Sequence, residues 1–210
     1  VNEYIHVEKP DQEAVPSRQF DISKIDFDLL SREFAHTRRK NLLLRDLDEL
    51  VNQQLAKMLF ANPQRIDYYD RYQEIIDAYN AEQNRATIEK TFMDLMELAN
   101  SLDTEQQRYV REGFSSDEEL SVYDLLFSEN LTKQEIETIK KVSVDLLTKI
   151  KQQIAKLDHW TDKQETKAIV DNLIRNTLWQ ELPNSYDVSD IQTYQKKIYE
   201  YVYMRYPEVA

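Results

Sequence analysis

Apolar side chains recur along this chain at intervals of three and four residues, the spacing that gathers them on one face of an α-helix. The first such stretch predicts a short helix over Asp26 to Phe34, with Phe27, Leu30 and Phe34 on its inner face. A second runs from about Asn41 to Ala61 on Leu43, Leu47, Leu50, Val51, Met58 and Leu59. Pro63 suits the first turn of the next, where its missing N–H costs nothing, and that helix presents Tyr69, Tyr72, Ile76 and Tyr79. Another begins at Asn84 or Arg85, buries Ile88, Phe92, Leu95, Leu98 and Leu102, breaks near Asp103 and resumes to Glu112. Gly113 follows, where a left-handed C-terminal residue is wanted. Ser116 with Glu119 and Thr132 with Glu135 have the capping-box spacing. The first opens a helix to about Phe127. The second opens a long one through Ile136, Ile139, Leu146, Ile150, Ile154 and Leu157. Two more are predicted, over about Thr161 to Leu182 and from Asp187–Asp190 to just before Pro207.

No segment alternates polar and apolar as a strand does, and no internal repeat is evident. Each amphipathic stripe must therefore be covered by another helix. The fold class expected is all-α, a multi-helix bundle of about seven or eight helices. Two helical subdomains are expected, 25–113 and 114–210, because short elements separate the long helices between Gly113 and Thr132. Residues 1–24, with Pro10 and Pro16 among polar residues, read as an irregular arm or linker.

Composition sharpens this. One glycine in 210 residues excludes the phosphate-cradling loops of P-loop and dinucleotide-binding proteins, which need several. A formal net charge of −12 disfavours broad nucleic-acid binding, which depends on clustered Lys and Arg. Absence of cysteine removes thiol nucleophiles, disulfides and thiolate-bound zinc, and fits a reducing cytoplasm. No apolar run spans a bilayer, and residues 1–20 carry no signal peptide, so the expected location is cytoplasmic. The chain opens on Val1, as a fragment or processed piece would.

Candidate chemistry is sparse. Pro10-Asp11 and Glu165-Thr166-Lys167 match the letters of a Mg²⁺-dependent nuclease, but one lies in the arm and the other in a helix. His6, His36 and His159 have no histidine partner at helical spacing, and Asp158-His159 beside Trp160 reads as polar contacts at a helix start. Asp67, Asp70, Glu74 and Asp77 read as a solvated helix face. No catalytic, cofactor-binding or metal-binding residue is assigned. Tyrosine is abundant, with thirteen residues, and suits surfaces that are apolar on one side and wet on the other. Tyr68, Tyr69, Tyr72, Tyr199 and Tyr203 are the candidate partner-binding residues, read against ordinary packing at the core edge. Arg38, Arg39, Lys40 and Arg45 form the densest positive stretch and are the candidate contacts to DNA phosphate, read against a solvated turn.

The order of several motifs then becomes informative. Ile25-Asp26-Phe27-Asp28-Leu29-Leu30, Glu33-Phe34 and Lys40-Asn41 come first, followed by Asn62-Pro63-Gln64-Arg65-Ile66-Asp67-Tyr68-Tyr69, Tyr72-Gln73-Glu74-Ile75-Ile76 and Tyr79-Asn80. Leu157-Asp158-His159-Trp160, Leu182-Pro183-Asn184-Ser185-Tyr186 and Val202-Tyr203-Met204-Arg205-Tyr206-Pro207 close the series. Together they resemble the C-terminal helical region of the motor (R) subunits of type I restriction enzymes.

The resemblance implies a complete subunit with a nuclease, two helicase-type motor domains and helical domains, using ATP and Mg²⁺ to translocate and cleave DNA. It implies that the helical C-terminus docks on the modification methyltransferase and on the rest of its own subunit, with DNA reached through the complex. None of that family's nuclease or ATPase motifs falls within these residues. No enzymatic role and no cofactor are therefore expected of this segment.

Overall fold

The computed structural model describes residues 26–82 and 84–207. The arm expected over 1–24, with His6 and Pro10-Asp11, lies outside them. The described residues are all-α, with nine helices and no strand: α1 (Phe27–His36), α2 (Lys40–Ala61), α3 (Ile66–Ala81), α4 (Arg85–Gln106), α5 (Arg108–Arg111), α6 (Asp117–Leu126), α7 (Lys133–Ile154), α8 (Gln164–Glu181) and α9 (Val188–Arg205). Two compact units divide the chain, one ending at Arg108 and the other beginning at Tyr109.

In the first unit α2 and α3 both pack on α4. Leu44, Val51 and Leu55 of α2, Tyr72 and Ile76 of α3, and Phe92, Leu95, Leu98 and Leu102 of α4 are almost wholly buried. Each such side chain contributes roughly 1.5–3 kcal/mol relative to exposure. Asn62 stops α2, and its side chain accepts from Gln64 N at 3.1 Å across a 3₁₀ turn, Pro63–Arg65, that leads into α3. Pro63 therefore opens this turn, and α3 begins at Ile66.

α4 does not break at Asp103; it runs on to Gln106. The physical reason lies inside the unit. Leu102 is buried, and Glu105 accepts from Arg65 at 2.9 Å and from Arg108 at 3.2 Å. Burial of that ion pair holds one more helical turn than local propensity would. α1 is attached differently. Phe34 is its one buried residue, stacked on Phe92 with ring centroids 3.7 Å apart.

In the second unit α6 packs on α7, α7 on α8, α8 on α9, and α9 returns to α6, a closed circuit of four helices. Ile139, Leu146, Ile150, Val170, Ile174, Leu178, Ile198 and Val202 fill it. Gly113 adopts φ +84°, the left-handed conformation predicted for it. Thr132 and Glu135 form the full capping box, and Asp187 with Asp190 forms another. At Ser116 only half of the box is present. Its hydroxyl accepts from Glu119 N, but the Glu119 carboxylate reaches back to Ser115 N at 2.8 Å.

α7 ends at Ile154, short of Leu157, and α8 starts at Gln164. Asp158 and His159 therefore lie in a connecting loop, not at a helix start, with His159 at φ 45°. Trp160 anchors that loop: it is 1% exposed, and its Nε1 donates to the Tyr206 carbonyl at 2.6 Å.

Candidate functional site

The five tyrosines singled out in the sequence are not brought together. Tyr72 is fully buried and donates its hydroxyl to Asp48 at 2.7 Å. Tyr69 is 5% exposed beside it, with ring centroids 6.4 Å apart. As partner-binding candidates these two are corrected, because their rings are spent on the core of the first unit. Tyr68 is half-buried, where burial and then the Glu105 carboxylate push its phenol up.

Tyr199 and Tyr203, on α9, do lie side by side, with centroids 6.2 Å apart. Both meet the Trp160 indole edge-on, and Lys167 stands 5.6 Å over the Tyr203 ring. Burial, followed by Asp171, raises the Tyr199 phenol. Tyr203 is 39% exposed, so this pair keeps a wet edge.

A different surface stands out on α8. Trp179 is 49% exposed and Ile169 42%. The exposed positions around them are Ala168, Asn172, Asn176 and Gln180, and the charges are Glu165 in the first turn and Arg175, bonded to Asn172 at 2.6 Å. In a chain that is 31% charged, this face is almost neutral. Charge depletion with an exposed aromatic is the composition found at the centre of protein interfaces. The sequence held two signals for it: the absence of acids and lysines between Ala168 and Gln180 except Asp171, and the spacing of nine residues that puts Trp179 on the opposite side of the helix from Val170.

The positive stretch is partly engaged. Arg38, Arg39 and Arg45 are exposed and have no ion-pair partner among the described residues. Lys40 donates to Glu89 at 2.6 Å and lies 4.9 Å over the Phe34 ring.

Elsewhere, the loop after α7 bounds a pocket of about 480 Å³, lined by Ile154 to Trp160 and Pro207. Glu165, Thr166 and Lys167 sit on the first turns of α8, where Thr166 bonds back to the Trp160 and Lys163 carbonyls. His36 is exposed at the end of α1. Among the described residues no group of three or more His, Asp or Glu side chains is placed to hold a metal ion. No helix among them is long and apolar enough to cross a membrane.

These features define an all-α module of two helical units, with its distinctive chemistry on outward-facing helix surfaces. Residues 13–206 match the family described as type I restriction enzyme HindI endonuclease subunit-like, C-terminal, and the chain belongs to that family. No curated protein matches the chain, and no solved structure does.

Proposed function

We propose that this module assembles the endonuclease subunit with the modification methyltransferase of a type I restriction enzyme, and does so through the exposed face of α8. The observation that supports this reading most is Trp179, half-exposed on a helix face whose other exposed residues from Ala168 to Gln180 include one charge, Arg175. An indole seated in a partner's pocket is among the side chains that most often dominate binding energy. Tyr203, also on the surface of the second unit, adds a second amphipathic contact. The module contributes docking, and the DNA-cleaving and ATP-driven steps belong to other parts of the parent subunit.

The reading predicts that the chain binds purified methyltransferase without ATP or DNA. Sedimentation velocity on the mixture tests it. A co-migrating species is expected at micromolar concentrations, and two independently sedimenting proteins would overturn the reading.

A further inference from the structure

Between residues 32 and 45 the chain carries Arg32, Arg38, Arg39, Lys40 and Arg45 against a single acid, Glu33. Folding adds to this stretch cations from far along the chain. Phe34 stacks on Phe92, and Lys40 reaches Glu89, so the start of α4 lies against the α1–α2 turn. There Arg85 donates to the same Glu89 oxygen at 3.2 Å, and its side chain is 85% exposed. One carboxylate thus serves two cations, and a positive charge is left over. Lys90, exposed, follows it in sequence. The other acids near these cations are Glu33, Asp46, Glu49 and Glu82, all exposed, and they are outnumbered by Arg32, Arg38, Arg39, Lys40, Arg45, Arg85 and Lys90; a denser run of acids, Asp67, Asp70, Glu74 and Asp77, follows the exposed side of α3.

We propose that this end of the first unit, formed by the α1–α2 turn and the start of α4, binds the phosphate backbone of duplex DNA. Local charge governs such binding more than the net charge of −12, because exposed charges beyond about 8 Å are largely screened at physiological salt. Arg45 lies about 7.5 Å along α2 from Lys40 at the helical rise per residue. The cations are therefore spread out and meet separate phosphates instead of crowding one. Guanidinium forks suit phosphate oxygens. Nothing in this arrangement reads base edges, so the contact is independent of sequence. The inference goes beyond assembly and stands whether or not the methyltransferase binds through α8.

The test is fluorescence anisotropy of the 210-residue chain on a labelled duplex, titrated across a series of salt concentrations. Three variants accompany it. Arg38→Gln/Arg39→Gln/Arg45→Gln is expected to bind at least about tenfold more weakly at low salt and to lose roughly 0.9 from the slope of log K against log salt for each contact removed. Lys133→Gln/Lys141→Gln/Lys163→Gln removes three exposed cations of the second unit and is expected to leave both quantities within about twofold of wild type. Glu89→Gln releases Lys40 and Arg85 and is expected to tighten binding several-fold, a gain that misfolding cannot mimic. Circular dichroism confirms that each variant stays helical. Failure of the wild type to bind duplex at low salt, equal losses in the two triple variants, or no gain in Glu89→Gln would each overturn the proposal.

Discussion

Tyr72 on α3 donates its phenolic hydrogen to Asp48 on α2 at 2.7 Å, inside the first unit, where Asp48 is 8% exposed and Tyr72 not at all. Burial raises the Asp48 carboxyl, the Tyr72 hydrogen bond pulls it back, and the charge of Glu49 adds to the rise. Burial, then the Asp48 charge, push the Tyr72 phenol far above its ordinary value. This bond ties α2 to α3 directly, while both helices pack on α4.

Tyr72→Phe deletes the donor and leaves a buried carboxylate unsatisfied, so it is expected to destabilise the first unit by about 1–3 kcal/mol. Asp48→Asn keeps an acceptor for Tyr72 and discards the charge. A folded-state carboxyl raised above its unfolded value of 3.8 contributes stability that is present below that value and lost as pH rises through the folded one. The Asn variant therefore gains on wild type between pH 4 and pH 7. Urea denaturation across that range measures both effects, and an Asn variant that loses ground on rising pH contradicts the account.

Glu118 supplies the opposite sign in the second unit. Burial opposes its ionisation, but Lys151 and Arg205 beside it outweigh that and hold its carboxyl below the usual 4.5. A depressed folded-state value gives stability that is present above 4.5 and lost as pH falls through the folded value. Glu118→Gln is expected to lower stability at pH 7 and to flatten the acid limb of a stability-versus-pH curve.

Phe34 is the single buried residue of α1. Phe34→Ala is therefore expected to free α1 without collapsing α2, α3 and α4. Hydrogen exchange reads this directly. Amides of 30–36 should exchange at least tenfold faster, while those of 47–58 keep their protection. Uniform loss across both stretches would mean that α1 is integral to the core.

Gly113 has φ +84°, and a Cβ added there meets nothing within 4 Å. Only backbone strain is at issue, so Gly113→Ala should cost about 1–2 kcal/mol of unfolding free energy. A denaturant titration that finds no cost would show that the chain relaxes into another conformation there.

Trp179→Ala separates folding from docking. Half of the indole is already in water, so the stability change should stay small, while affinity for the methyltransferase falls by about 2 kcal/mol or more, near thirtyfold. Isothermal titration calorimetry gives the second number and thermal melting the first.

The helices were legible because their apolar spacing is regular and their ends carry side chains with one job. Thr132 with Glu135 and the lone glycine at 113 each announce a terminus by chemistry confined to a few residues. What was not legible depends on partners distant in the chain. The run of α4 past Asp103 rests on Glu105 meeting Arg65, forty residues earlier. Tyr72 reads as an interface residue until Asp48 is seen to hold its hydroxyl. Arg85 joins the positive end only because Phe92 stacks on Phe34. Trp179, by contrast, stands nine residues beyond Val170, which at the helical repeat puts it on the opposite side of α8 from that buried residue, so its outward position was open to the helical pattern.

Trp160 closes the loop after α7 by donating to the main-chain carbonyl of Tyr206, and Thr161 reaches that of Pro207 at 3.3 Å. These bonds use backbone, not side chain, so they tolerate many substitutions at 206 and 207 but not the loss of those residues. A protease that trimmed the chain back past Tyr206 would leave the indole N–H buried with no acceptor. Damage at one end of α9 would then be felt forty-six residues upstream at Trp160, just before α8, and α8 would lose the brace beneath its first turn.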